Sequence, residues 1–211
     1  MRRLLLSASL LVLAANLAAI STGAGETNSG DRVAAQLPGN DFETIPTTLL
    51  TTTTTAPAAP PTSRPVDPPV NPYAPEPHIV IGTIEIPKLG LSVPLNEGIS
   101  LHSIDYGPSH WPGTALPGGT SGNVVVAGHR VTHTKPFRHI DTLVPGDEII
   151  FVVKGVRSTY HVTGHQVVTP QQTEIVNQTA EPTATLFACH PPGSARYRYV
   201  VRAALVSTAP A

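Results

Sequence analysis

Thr185-Leu186-Phe187-Ala188-Cys189-His190-Pro191 brings a short apolar run to a thiol and then to a proline. Its apolar, partly β-favouring residues read as a strand that ends at the thiol. Pro191-Pro192-Gly193 stops that strand and opens a loop. A second β-rich run, Tyr197 to Val206, follows with Arg198 at its start. Cys189 is the only cysteine in 211 residues, so no disulfide forms within the chain. A thiol at a strand end, with Arg196 and Arg198 close behind it, has the outline of a nucleophile site. A buried, inert cysteine is the commoner fate of a lone Cys, and the rest of the chain has to decide between the two.

The same punctuation recurs along the chain. Ile79 to Ile86 alternates as a strand, Pro87-Lys88-Leu89-Gly90 turns the chain, and Leu91 to Leu95 returns. Pro94 places that return strand at an edge. Ser100 to Tyr106 reads as a short helical turn, and Gly107 to Gly122 as a long surface loop holding the only tryptophan, Trp111. Asn123 to Ala127 is a short buried-strand pattern ending at Gly128-His129-Arg130. Pro136 to Leu143 reads as a short helix, with Pro136 suited to its first turn. Glu148 to Val153 and Ser158 to Val168 are strands around a turn at Lys154-Gly155, and Gln171 to Val176 is a weak helical or irregular piece. Seven or eight short strands with little helix imply a mainly β protein, a small closed or nearly closed β-barrel. Residues 78–211 are long enough for one independent core.

The chain ahead of that core has a different character. Met1-Arg2-Arg3 leads into the apolar run Leu4 to Ile20, interrupted only by Ser7, Ser9 and Asn16. A basic flank before such a run is an export signal, and its length favours an uncleaved membrane anchor over residues 1–20. Small residues around Ala18 and Ala24 also offer a cleavage site, which would release a secreted protein. Residues 21–77 hold eleven prolines and the run Thr51 to Thr55. Such a segment cannot bury enough apolar surface to offset its ordering entropy, so it reads as a disordered Pro/Thr-rich stalk. A formal net charge of −1 supplies no field for nucleic acid or anionic lipid.

Thiol catalysis sets requirements of its own. A free thiol with pKa about 8.5 is mostly neutral at pH 7, so it needs a base or cation nearby and a donor for the oxyanion. His129 is the candidate base among nine histidines, because it too follows an apolar strand, and two strands of one barrel can bring their ends together. His190 adjoins the thiol, but neighbours on a strand point to opposite faces. His129 with His133, and His161 with His165, have a four-residue spacing compatible with metal ligation, the second pair sharing a strand face. No further Cys and no well-placed carboxylate completes either set, and surface histidines are the preferred reading. Asp141, Asp147 and Glu148 need only solvated roles.

Taken together, these features resemble the sortases, cysteine transpeptidases of Gram-positive surfaces. The resemblance rests on an N-terminal anchor and stalk, Gly-His-Arg after an apolar strand, and Thr-Leu-x-x-Cys with an arginine nine residues beyond the cysteine. Asn123 to Arg130, Pro136-Phe137, Pro145-Gly146-Asp147 and Cys189-His190-Pro191 followed by Ser194-Ala195-Arg196 look like the class E branch of high-GC bacteria. The resemblance implies an eight-stranded sortase-like barrel with one or two short helices. It implies Cys189 as nucleophile, His129 as acid/base, and Arg198 as donor to substrate or oxyanion, with Arg196 as the fallback. It implies surface proteins with a C-terminal LPxTG- or LAxTG-like sorting signal as substrates, and a cell-wall peptide or pilin amine as acceptor. No cofactor or metal is expected, since no acidic loop like that of the calcium-using sortases stands out. Ala188 departs from the family, which usually has Thr before the cysteine. A cysteine peptidase that hydrolyses, and a non-catalytic binding barrel displayed on a stalk, are the alternatives.

Overall fold

A computed structural model describes residues 64–211. The expected anchor over residues 1–20, and the stalk up to residue 63, lie outside the described residues. Among the described residues no helix is long and apolar enough to cross a membrane.

Eight strands close into a barrel: β1 (Ile79–Ile86), β2 (Leu91–Glu97), β3 (Ser109–His110), β4 (Asn123–Ala127), β5 (Glu148–Val153), β6 (Val156–Val168), β7 (Thr183–His190) and β8 (Tyr197–Pro210). Their order around the barrel is β1-β2-β3-β4-β7-β8-β6-β5. One α-helix, α1 (Leu101–Tyr106), and three short 3-10 turns complete the secondary structure. Ser100 caps α1, its hydroxyl accepting from the Ser103 N–H at 3.0 Å, which satisfies one of the helix's free amides.

Two apolar clusters explain the strand patterns. Ile84, Leu95, Val124, Val126, Phe151, Tyr160, Leu186, Val201 and Ala203 fill the barrel interior. Val125 and Val200, on the opposite faces of their strands, pack outside it with Trp111, Ile175, Val176 and Phe187. β4 is buried along its whole length because it is covered on both sides, which is why it reads as a continuous apolar run. Pro94 precedes the point where β2 pairs with β3, at Asn96 and Glu97, so its missing N–H costs no ladder bond.

Three local expectations are corrected. The Gly107–Gly122 loop contains β3, two residues that bridge β2 and β4. The helix expected over Pro136–Leu143 contracts to a 3-10 turn at Ile140–Thr142. Phe137, Ile140 and Leu143 are all fully buried, and their spacing of three suits a 3-10 turn better than an α-helix. His161 and His165 do not share a face. A register shift between Val162 and Gly164 pairs His161 with Ala204 but His165 with Val201, and residues three apart on β8 point to opposite sides.

Residues 64–77 have almost no regular structure yet lie against the barrel. The Val66 N–H donates to Pro112 O at 2.9 Å, and Trp111 Nε1 donates to Val66 O at 2.7 Å. The His102 N–H donates to Pro72 O at 3.3 Å, and the Ser100 and Ser103 hydroxyls donate to Glu76. Gly113, with φ +79°, is required where this segment crosses, because a Cβ there would meet Arg64 O at 2.1 Å.

Candidate active site

The cleft is built where three strands end together. β7 and β8 run antiparallel, with Cys189 directly opposite Arg198, so the thiol and the guanidinium leave the ladder on one face. β4 and β7 are parallel neighbours, with Ala127 beside Phe187. His129 and Cys189 therefore each lie two residues beyond a matched pair. Gly128 holds this junction tight: its N–H donates to Phe187 O at 3.2 Å, and a Cβ on it would meet the Phe137 ring at 2.6 Å.

His129, Cys189 and Arg198 line one cleft of about 610 Å³. Ile99, Leu101, Ile104, Trp111, Ile175 and Phe187 supply apolar walls, and Arg64–Pro68 forms part of the rim. Cys189 is a free, partly exposed thiol. Arg198 spends one nitrogen on structure, its Nη1 donating to Ala195 O at 2.8 Å and Tyr197 O at 3.0 Å. Its Nη2 and Nε make no hydrogen bond among the described residues. Arg196 is exposed in the loop before β8, its guanidinium 5.2 Å from the centre of the Tyr197 ring. It does not line the cleft, and the fallback role for it has no geometric support.

Asp105, which the sequence did not connect to His129, and His133, which it did, complete the surroundings of His129. Asp105, near the end of α1, places Oδ1 2.7 Å from His129 Nε2. The same oxygen lies 3.1 Å from His133 Nε2, and the His129 and His133 rings stack with centroids 4.9 Å apart. A carboxylate therefore does complete the His129–His133 pair, contrary to the sequence expectation. Among the described residues His129 Nδ1 makes no hydrogen bond.

Arg130 is 2% exposed and ties the loop after β4 to the end of β7. Its Nη2 meets Asp141 Oδ2 at 2.7 Å, its Nε donates to Arg138 O at 3.3 Å, and its Nη1 donates to His190 Nδ1 at 2.8 Å. Asp141 thus has a structural partner as well as solvent. His190 accepts from Arg130 through the nitrogen nearer its backbone and turns away from the Cys189 face. Burial, and the Asp141 carboxylate, hold the nearby Tyr199 hydroxyl above its ordinary pKa. Ala188 belongs to the barrel core at 2% exposure, so the departure from Thr at this position alters interior packing.

A family model described as the sortase domain matches residues 84–206. Sortase SrtE1 of Streptomyces coelicolor is 32% identical over 150 residues, which are 64% of this chain and 43% of that protein. Sortase D of Bacillus subtilis is 28% identical, over 61% of this chain and 65% of its own length. The chain thus spans less than two thirds of either curated relative. Among solved structures, Sortase E1 from S. coelicolor, with a tripeptide in its active site, superposes with a TM-score of 0.59 at 30% identity, covering 63% of this chain and 91% of that one.

Proposed function

The chain belongs to the sortase family, and we propose that it is a cysteine transpeptidase that cuts a C-terminal sorting signal and joins the carboxyl side to an amine. The Cys189 thiolate attacks the carbonyl carbon of a Thr–Gly bond in an LPxTG- or LAxTG-like signal, and the oxyanion is met by Arg198. The C–N bond breaks as His129 gives a proton to the departing glycine amine, leaving a thioester. An acceptor amine then attacks the thioester, loses its proton to His129, and expels the Cys189 sulfur. The acceptor is a cell-wall peptide or a pilin lysine, and the barrel works outside the membrane that Leu4–Ile20 would span.

The observation that carries this reading is the cross-strand pairing of Cys189 with Arg198 in a cleft that His129 also lines. A guanidinium is suited to the oxyanion because it stays charged and offers a fixed fork of donors. Nη2 and Nε are the donors left for substrate. The Asp105 carboxylate accepts from His129 Nε2 at 2.7 Å and so fixes the ring's orientation, and Nδ1 is left to exchange protons within the cleft. The apolar walls suit the leucine and proline or alanine of the signal.

The test is a peptide bearing the signal, incubated with the full chain with and without an added amine. Wild type should give a transfer product with the amine, and a covalent acyl adduct on Cys189 without it. Cys189→Ala should give neither. Cleavage that persists in C189A overturns the reading, and cleavage without any transfer makes the protein a hydrolase. A native thiol that reacts with alkylating agents only after denaturation would favour the binding barrel.

A further inference from the structure

We propose that Asp105, His129 and His133 form a binding site for a divalent late first-row cation of the zinc class, and that its occupation switches the enzyme off. One ligand atom from each residue lies within 4.8 Å of the other two. Two imidazole nitrogens and one carboxylate oxygen are the donor set that favours zinc and its neighbours over calcium or magnesium, which prefer all-oxygen cages. The spacings fit with a small expansion. Nitrogen and oxygen ligands at about 2.1 Å in a tetrahedron stand about 3.4 Å apart. Asp105 Oδ1 is now 2.7 Å from His129 Nε2 and 3.1 Å from His133 Nε2. The Asp105–His129 pair has to open by about 0.7 Å, which falls to the Asp105 side chain, 23% exposed, and the Asp105–His133 pair by about 0.3 Å, which falls to His133, whose side chain is 45% exposed. A fourth position, as in open zinc sites, would hold water.

The chain brings these residues together from separate elements. Asp105 sits on α1, and His129 follows β4. The loop beyond turns back at His133, which has φ +50°, and so returns the second ring over the first. His133 has no part in the transpeptidation proposed above, which leaves its place beside Asp105 and His129 unaccounted for by that chemistry.

The consequence for activity rests on the proposed role of His129. A cation takes the Nε2 lone pair, so the ring's single proton moves to Nδ1 and the ring cannot accept a second. The proton transfers proposed for His129 are then blocked. The cation is a competitor for the acid/base, and it carries no step of the reaction.

The experiment titrates the full-length chain with Co(II), read by its visible ligand-field absorption, and with Zn(II), read by calorimetry. Wild type should bind one ion per chain with no thiolate charge-transfer band, and Cys189→Ala should bind equally well. His133→Ala should weaken binding by at least about tenfold, since losing even an outer-shell partner typically costs about 10–100-fold. It should keep the metal-free rate of peptide cleavage and lose its sensitivity to Zn(II) in parallel. Binding unchanged in H133A, or lost in C189A, would overturn the site by showing that the thiol with His129 is what captures the metal. Binding as described with cleavage unaffected would overturn the switch alone. Because binding is measured without turnover, a chain that bound the ions but cut no peptide would count against the transpeptidase reading and leave the site standing.

Discussion

Asp105 and His129 share a hydrogen bond of 2.7 Å between Oδ1 and Nε2, joining the end of the only α-helix among the described residues to the loop after β4. The bond fixes which imidazole nitrogen remains for the cleft. Asp105→Asn keeps the shape but removes the charge. A charge-assisted hydrogen bond contributes about 1.5–3 kcal/mol, so kcat/KM for peptide cleavage should fall by about 10- to 100-fold. Unfolding should stay near wild type. Equal activity in D105N would mean that the carboxylate does not act through His129.

Arg198 should divide binding from catalysis. It faces Cys189 across the ladder with one nitrogen held by two carbonyls. Loss of one oxyanion donor typically costs about 10²–10³ in kcat. Arg198→Ala should show that loss mainly in kcat, and Arg198→Lys should recover little, because a lysine cannot brace itself on Ala195 and Tyr197 while also reaching the substrate. Steady-state kinetics on the two variants checks this, and full recovery in R198K would contradict the fork argument.

Much of this arrangement was legible in the chain. Strands β4, β7 and β8 are apolar runs bounded by Gly and Pro, and their ends carry His129, Cys189 and Arg198. What was hidden depends on tertiary placement. β3 is two residues long and has no periodicity to detect. Asp105 lies 24 residues before His129, and nothing in its neighbourhood marks it as a partner. The bulge that separates His161 from His165 leaves no trace except Gly164, which read as part of the alternation. Ala188, unexplained as a departure from the family pattern, is a core position on the face opposite Cys189.

Arg130 should matter for stability more than its loop position implies. It is buried and makes hydrogen bonds or ion pairs to Asp141, Arg138 and His190. Arg130→Met fills similar space but leaves His190 Nδ1 and Arg138 O short of a donor, at a cost of about 1–3 kcal/mol. Arg130→Lys keeps the charge but cannot serve three partners from one nitrogen, so it should fall between wild type and R130M. Denaturant midpoints order the three proteins, and an R130M midpoint equal to wild type would contradict the account.

The contact between Glu76 and α1 should make the protein sensitive to acid. Burial pushes the Glu76 carboxyl up, but the Ser100 and Ser103 hydroxyls and the nearby His102 outweigh it and hold the group below its ordinary pKa. A carboxylate depressed in the folded state binds fewer protons there than in the unfolded chain, so its stabilisation is complete above the ordinary glutamate value of about 4.3. It is lost as pH falls through the lower folded value. Asp147, held down by Lys88 and the Val144 amide, acts in the same direction. Glu76→Gln should therefore be less stable than wild type near neutrality, and the two stability curves should converge as pH drops below about 4. Some acid slope should remain from Asp147. Because Glu76 links residues 64–77 to the helix that carries Asp105, acid should also expose this segment to protease before the barrel unfolds. Limited proteolysis across the same pH range checks the order, and simultaneous loss of segment and barrel would show that the contact does not melt on its own.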